Sequence, residues 1–447
     1  MNITDSFVET LYTLKSRSLP NLIVREARLC LMDEVGTMVA GSAIQGDKLG
    51  RYLDAFSGDD ATVVGLGRRA SLQNAALCNG ISGHAYDFDD GHRFSTVHLG
   101  SVVIPPVLAV TEKEGLSMED AIRGIVIGYE AGIRLGRCIQ PSHRNRGFHS
   151  SGTAGAVAAA MGVAAALDFN KEQMKATLAA ACSSAGGINE MMENVSTMKP
   201  FNVGRAAHDG VTAAYIAAAG FQGPYDPMLG KFGFLRTACD VYDASVLSLE
   251  TDDGYNICGG YHKPYASCRH THGAVYATVR AVNDNDVRWQ DITDISVSMY
   301  GQGVNGHEHT DIPGVVAGKM STPFCIALAL KTGKIGIDSF VDETINDPDI
   351  LHLTQLVSVK ADEEMTSWVP NKRAARSTVT TKEGKKYTYQ ADYAPGEPEL
   401  PMTQQDFEKK FTELWSASGK SPEQIKIAID MILHHNGTVA EFMQQLV

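Results

Sequence analysis

The most conspicuous chemically capable residues lie between residues 84 and 101. Three carboxylates occur within four residues, in the run Asp87-Phe88-Asp89-Asp90, and close to it stand His84, His92, Arg93 and His98. Crowded carboxylates repel one another, so they are stabilised by solvent, by a metal or by a nearby cation. Such a carboxylate can also acquire a raised pKa that suits acid–base work. The same spacing is compatible with a solvated loop that contains an aspartate helix cap.

Two further segments place a basic side chain ahead of a predicted helix. His149 precedes the Gly- and Ala-rich stretch 150–167, whose expected N-cap is Ser150 or Ser151, and Lys199 precedes the helical stretch 205–220. Helix N-termini favour anions, so a carboxylate could be held there while His149 donates a proton or a hydrogen bond. A capping histidine and a solvent-exposed lysine are the alternative interpretations.

A fourth segment, residues 261–272, is the densest positively charged stretch of the chain. It contains Lys263, Cys268, Arg269, His270 and His272. An arginine can bind a carboxylate through two parallel hydrogen bonds, so this segment suits a substrate with two or three carboxylates. A zinc site formed by Cys268, His270 and His272 is a weaker alternative, because no second ligand pair stands at a standard spacing.

The composition argues against several classes of function. The chain has 39 Lys and Arg against 52 Asp and Glu, a net charge of −13, whereas a nucleic-acid partner requires a basic surface. Eight cysteines occur without a Cys-x-x-Cys pair, which indicates a reducing compartment and no disulfide framework. No signal peptide or membrane-spanning stretch is recognisable, so a cytoplasmic protein without a membrane partner is expected.

The elements that must position these residues change character along the chain. Helical periodicity predicts helices over 21–40, 70–86, 101–139 with a break at 114–117, 150–167, 171–187 and 205–220. Strands are predicted near 295–299 and 356–360, with a hairpin over 377–390 and a final helical segment over 403–447. The predicted fold class is therefore α plus α+β. A large all-helical domain, residues 1–265 completed by 396–447, receives a smaller inserted α+β domain, residues 266–395.

In combination, these segments resemble the MmgE/PrpD family, which includes 2-methylcitrate dehydratase, cis-aconitate decarboxylase and iminodisuccinate epimerase. The resemblance covers nearly the whole chain through four ordered motifs: Asn79-Gly80 to Gly100-Ser101, Phe148-His149, Lys199-Pro200 to Gly210, and Lys263-Pro264-Tyr265 to Cys268. It implies a helical domain with an α+β lid domain, usually a homodimer, and no metal or organic cofactor.

The resemblance also implies a set of site residues. Asp87 and His98 lie in the family's first active-site loop, Cys268 falls where the decarboxylase branch has a histidine, and Tyr300 matches a tyrosine of the lid. The expected catalytic residues are Asp87, His98, His149, Lys199 and Lys263, and the expected substrate-binding residues are Arg93, Cys268, Arg269, His272 and Tyr300. Gly91, Leu99 and Asn202 depart from residues common in the family, which leaves the substrate open.

The family's reactions develop negative charge beside a carboxylate, and preorganised cations and N–H groups must stabilise it. The working hypothesis gives this task to Lys199, Lys263 and Arg269, with His98, oriented by Asp87, as the acid–base group and His149 as the second proton-transfer or oxyanion partner. A lyase acting on a small di- or tricarboxylate is expected. An epimerase or isomerase of a related dicarboxylate and a non-catalytic anion-binding relative are the alternatives.

Overall fold

The computed structural model describes residues 2–192, 197–248 and 255–446. Helices dominate, and the described residues also form two small sheets, which agrees with the predicted α plus α+β class. The chain divides into two compact units, one made of Met1–Tyr261 with Gln404–Val447 and the other of His262–Thr403. No helix within the described ranges combines the length and apolarity needed to cross a bilayer.

The larger unit consists of helices and one short β-ribbon, so the prediction that it is all-helical was wrong at this ribbon. Strand β1 (Ala61–Val63) pairs antiparallel with β2 (Arg68–Ala70). Up to residue 261, the helices of this unit are α1 (Ile3–Lys15), α2 (Asn21–Leu53), α3 (Leu72–His84), α4 (Leu99–Lys113), α5 (Met118–Ile139), α6 (Ser142–Asn145), α7 (Ser150–Ala166), α8 (Lys171–Ser184), α9 (Lys199–Ala218) and α10 (Phe234–Ala238).

The smaller unit contains a four-stranded mixed sheet in the order β4-β3-β5-β6. Strand β3 (Ile292–Met299) is parallel to β4 (Val357–Ala361), and β5 (Ala375–Thr381) forms the predicted hairpin with β6 (Lys386–Ala391). The helices of this unit are α11 (His272–Asn283), α12 (Gly301–Val304), α13 (Val315–Met320), α14 (Thr322–Thr332), α15 (Asp342–Ile345), α16 (Pro348–Gln355) and α17 (Glu363–Ser367). The chain then completes the larger unit with α18 (Gln404–Ala417), α19 (Pro422–His434) and α20 (Val439–Met443).

Two helix starts differ from those expected. Helix α9 begins at Lys199 rather than near residue 205. Pro200 is tolerated in the first turn, because the N–H groups of that turn make no hydrogen bond within the helix and the N–H that proline lacks is not needed. Helix α7 has His149 as its N-cap residue, not Ser150 or Ser151. The two serine hydroxyls instead hydrogen-bond to the loop that precedes α4.

Small residues allow the central helices to approach closely. All 17 residues of α7 are buried, and this helix packs against α4, α5, α8 and α9. Helices α3 and α9 meet through glycines: a Cβ atom on Gly80 would lie 2.9 Å from the Cα of Gly204. A Cβ atom on Gly204 would lie 2.4 Å from the carbonyl oxygen of Leu77. This contact fixes the distance between the end of α3 and the start of α9.

The substitution Gly204→Ala is expected to destabilise the larger unit. The new methyl group meets backbone that cannot rotate away, and overpacking of this kind costs about 1–3 kcal/mol. Denaturant unfolding followed by circular dichroism measures the change. The control is Gly50→Ala in α2, whose Cβ would meet only the Arg68 side chain at 3.8 Å. Equal stability of the two variants would contradict this account of the α3–α9 contact.

Candidate active site

The loop between α3 and α4, residues 85–98, gives each of its three carboxylates a different environment. Asp87 has a φ of 53°, in the left-handed region that Asp tolerates better than most residues, and its N–H donates to the His84 carbonyl at 3.0 Å. Lys410 of α18 donates to the Phe88 carbonyl at 2.7 Å, with its Nζ 3.9 Å from the centre of the Phe88 ring. The acidic run is therefore an ordered turn, and Lys410, from the C-terminal part of the chain, stabilises it.

Asp90 has a structural role at the start of α4. Its Oδ1 accepts from the N–H of Gly100 at 2.7 Å, and its Oδ2 accepts from the Tyr129 hydroxyl at 2.7 Å. The N-cap residue of this helix, His98, makes no side-chain cap of its own. Asp90 thus satisfies a first-turn N–H that would otherwise be an unpaired buried donor.

Asp89 is the acidic centre of the cluster and is fully buried. Its carboxylate lies 2.9 Å from Nδ1 of His84, 2.8 Å from the Ser101 hydroxyl and 3.3 Å from Nδ1 of His98. Burial alone would raise the Asp89 pKa, but the two histidines outweigh burial and hold that pKa well below its usual value. Asp89 is therefore ionised and accepts hydrogen bonds from several sides.

His84 stands in the first motif but was not among the expected site residues. Burial is the main cause that lowers its pKa to about 4, so the ring is neutral near pH 7. Because an ionised carboxylate only accepts, Nδ1 of His84 carries the proton that faces Asp89. Nε2 is then a lone-pair acceptor, and no described residue hydrogen-bonds to it.

His98 presents its second ring nitrogen away from the protein interior. Nδ1 lies 2.8 Å from the Asp90 carbonyl oxygen, which can only accept, so Nδ1 carries a proton. Nε2 lies 4.0 Å from Oδ1 of Asp87, and the side chain keeps 16% exposure. The hypothesis that Asp87 orients His98 is therefore corrected: Asp89 and the Asp90 carbonyl hold the ring.

Asp87 instead pairs with Lys199. The Lys199 Nζ lies 2.9 Å from Oδ2 of Asp87, and both side chains are partly exposed. Lys199 is the first residue of α9, where the helix dipole already favours negative charge. The lysine and the helix end together provide a site for an anionic group.

His149 is fixed as a hydrogen-bond donor by Asn202. The Asn202 amide donates to the Ile188 carbonyl at 3.3 Å and to Nδ1 of His149 at 3.2 Å. Since only the NH2 group can donate to a carbonyl, Nδ1 accepts and Nε2 carries the proton. Burial, followed by the charge of Lys199, lowers the pKa of His149 well below its usual value, so the ring is neutral.

The starts of three helices lie near one another. His98 precedes α4, His149 precedes α7, and Lys199 begins α9. The N–H of His98 donates to the Ser151 hydroxyl at 3.0 Å, which connects the starts of α4 and α7. Helix N-termini favour an anion, so a carboxylate could be held beside these imidazoles.

The residues expected to bind substrate contact other protein groups in the structure. Arg93 is buried, with its guanidinium carbon 5.0 Å from the centre of the Phe94 ring. In the smaller unit, Arg269 forms a buried ion pair with Glu397 at 2.7 Å and donates to Nδ1 of His272 at 2.8 Å. Binding of a substrate carboxylate by Arg269 stays a prediction, and in the structure the carboxylate of Glu397 pairs with this guanidinium.

Cys268 and Tyr300, two predicted residues of the smaller unit, belong to a second polar group. Cys268 Sγ lies 3.2 Å from Nε2 of His307, and the Tyr300 hydroxyl lies 2.7 Å from Nδ1 of His270. Burial raises the pKa of Tyr300 well above its usual range, and Lys263 is almost fully buried. The alternative zinc site lacks its third ligand, because the two ring nitrogens of His272 face Arg269 and the Ser267 carbonyl.

Four side chains of the larger unit come close enough to share a cation. The ligand atoms of His84, Asp87, Asp89 and His98 lie within 4.8 Å of one another. Hydrogen bonds within the group already engage Asp89, and Asp87 pairs with the positive charge of Lys199. A cation at this position would have to compete with these contacts.

The fold and these motifs define a class of protein by comparison with known families. The model of the MmgE/PrpD N-terminal domain matches residues 5–246, and that of the MmgE/PrpD C-terminal domain matches residues 265–435. The chain therefore belongs to the MmgE/PrpD family, which confirms the resemblance drawn from its motifs.

Relatives with assigned activities are similar over nearly the whole chain. A cis-aconitate decarboxylase of Aspergillus terreus is 22% identical over an alignment of 461 positions, gaps included, that covers 96% of this chain and 92% of that protein. The human cis-aconitate decarboxylase is 24% identical over 437 residues, with coverages of 92% and 87%. The mouse cis-aconitate decarboxylase is 23% identical over 435 residues, with coverages of 92% and 86%.

The low pKa of His84 makes a prediction about stability. In the unfolded chain His84 binds a proton below about 6.5, but in the folded protein only near 4, so the unfolded state binds more protons between these values. The free energy of unfolding therefore rises with pH in this window, with a slope of up to about 1.4 kcal/mol per pH unit from this group.

The measurement is urea unfolding at several pH values between 4 and 6.5, comparing wild type with His84→Asn. Asparagine retains an N–H donor for Asp89 but does not titrate, so the pH slope is expected to decrease. His434→Asn, at an exposed position on α19, is the control and leaves the slope unchanged. An unchanged slope in His84→Asn would contradict the neutral, buried state of His84.

Proposed function

We propose that this protein is a lyase, a dehydratase or decarboxylase, that acts on a small di- or tricarboxylate by metal-independent acid–base chemistry. The observation that carries the proposal is the position of His98, whose Nδ1 is engaged by the loop while Nε2 faces the Asp87–Lys199 pair. The similarity to cis-aconitate decarboxylases supports the choice of a lyase and of a carboxylate substrate.

Each residue of the larger unit has a distinct task in this mechanism. A substrate carboxylate binds to Lys199 and to the helix N-termini, in exchange for the contact between Lys199 and Asp87. In a dehydration, Nε2 of His98 removes the proton next to the carboxylate, the C–H electron pair forms the double bond, and the leaving hydroxide takes that proton from His98 and departs as water. In a decarboxylation, the C–C electron pair remains on the substrate as CO2 leaves, and protonated His98 supplies the proton. In both reactions, Nε2–H of His149 donates to the negatively charged oxygen that develops.

The reaction class is tested by proton NMR in D2O with a panel of di- and tricarboxylates that includes cis-aconitate. Loss of water or CO2 from one acid is the expected result, and it persists after exhaustive dialysis against a chelator. Deuteration with inversion and no loss of mass identifies an epimerase instead. Binding without any chemical change identifies an anion-binding relative, and both of these outcomes contradict the lyase.

The substitution His98→Gln is expected to abolish turnover while substrate binding persists. General acid–base catalysis contributes about 10²–10⁴-fold, so kcat should fall by at least the lower figure. Calorimetric titration with the same acid measures binding, and circular dichroism verifies the fold. His434→Gln, at the exposed position on α19, is the matched control. Near-normal turnover in His98→Gln would refute the assignment of this histidine.

A further inference from the structure

A carboxyl group that no motif marks lies behind the Asp89 cluster. Glu34 stands in the middle of α2 with 1% exposure, and its Oε2 lies 2.9 Å from the Ser101 hydroxyl. The same hydroxyl lies 2.8 Å from Oδ2 of Asp89. One hydroxyl group is therefore placed between two buried carboxyl groups.

A count of protons shows that these two carboxyl groups cannot both be ionised. The Ser101 hydroxyl has one proton and can donate it to only one carboxylate, so a second ionised carboxylate would face an oxygen lone pair. Asp89 also receives hydrogen bonds from His84 and ion-pairs with His98. Glu34 has no basic partner among the described side chains, and its Oε1 has no hydrogen-bond partner there. The additional proton therefore belongs to Glu34.

The surroundings of Glu34 favour the neutral acid. The Thr37 hydroxyl is nearer to the backbone carbonyl of Glu34, at 2.9 Å, than to Oε2, at 3.5 Å. Burial, followed by the negative charge of Asp89, raises the pKa of Glu34 well above its usual value. The other titratable groups near it are Asp33, which pairs with Lys410 of α18, and Asp90, which accepts from Tyr129 of α5.

The backbone of two neighbouring helices leaves room for this carboxyl group. A Cβ atom on Gly83 would lie 1.8 Å from Oε1 of Glu34, and one on Gly100 would lie 2.9 Å from Oε2. Gly83 precedes the last residue of α3, and Gly100 lies in the first turn of α4. Glu34 therefore packs directly against the two helix ends that carry His84 and His98.

We propose that Glu34 is a positioning residue, a neutral carboxylic acid that donates to Ser101, so that Ser101 donates to Asp89 and Asp89 holds His98. The Ser101 hydroxyl then has Asp89 as its only acceptor, and Asp89 is the one negatively charged group of this pair of carboxyl groups beside His98. This role rests on the proposed function of His98, whereas the protonation of Glu34 does not.

Infrared difference spectroscopy of the whole protein at neutral pH tests the protonation. The C=O band of a protonated carboxylic acid is expected in wild type and is lost in Glu34→Gln, while Glu423→Gln, at an exposed position on α19, retains it. In Ser101→Ala the band moves to higher frequency, because the acid loses its acceptor. If Glu34→Gln removes no such band, the proposal is overturned, whatever the protein catalyses.

Histidine titration by NMR tests the link to His98, whose signal is assigned with His98→Gln. A neutral Glu34 predicts the same His98 titration in wild type and in Glu34→Gln, whose amide N–H also donates to Ser101. An ionised Glu34 predicts a lower His98 pKa in Glu34→Gln, which overturns the proposal.

Turnover of the acid identified in the panel tests the positioning role. Glu34→Ala, which cannot donate, is expected to lower kcat about tenfold with little change in KM, and Glu34→Gln to restore most of the loss. Equal loss in both variants overturns the positioning role. If only the kcat result fails and the infrared band is lost in Glu34→Gln as expected, Glu34 is protonated but does not position His98 for catalysis.

Discussion

The candidate site depends on one buried carboxylate, Asp89. An ionised carboxylate without exposure is tolerated only when it is paired and hydrogen-bonded, and Asp89 meets this requirement through His84, His98 and Ser101. These contacts determine which nitrogen of each histidine carries a proton. They also require that the end of α3 and the start of α4 remain together, because each contributes partners.

The helices that carry the site are brought together by their small side chains. Glycine contacts between α3 and α9 and the fully buried α7 allow backbones to approach more closely than larger side chains permit. The N-termini of the helices that begin near His98, His149 and Lys199 then lie near one another. The small Gly and Ala side chains thus have an electrostatic consequence, because close packing of these helices brings the partial positive charges of their N-termini near one another.

The sequence predicted the fold class, most helices and the hairpin because apolar periodicity and turn residues are local signals. It predicted the histidines of the site through motifs, but it assigned the orientation of His98 to Asp87. The turn that places Asp89 3.3 Å from Nδ1 of His98 has no signature in residue types. The ion pair of Arg269 with Glu397 was not predicted, because the two residues lie 128 positions apart in the chain. Glu34 lies in the predicted helix 21–40 and no motif marks it, since its partner Ser101 comes from another helix.

The contact of Lys410 with the acidic turn bears on the order of synthesis. Lys410 donates to the Phe88 carbonyl across 322 residues of chain and pairs with Asp33 at 2.6 Å. A ribosome therefore releases the turn long before it has made the lysine that holds it. Until α18 has been synthesised and has packed against α2, Lys410 cannot pair with Asp33 or donate to the Phe88 carbonyl of the acidic turn. The larger unit is thus completed only after the smaller unit has been translated, although most of its helices are made first.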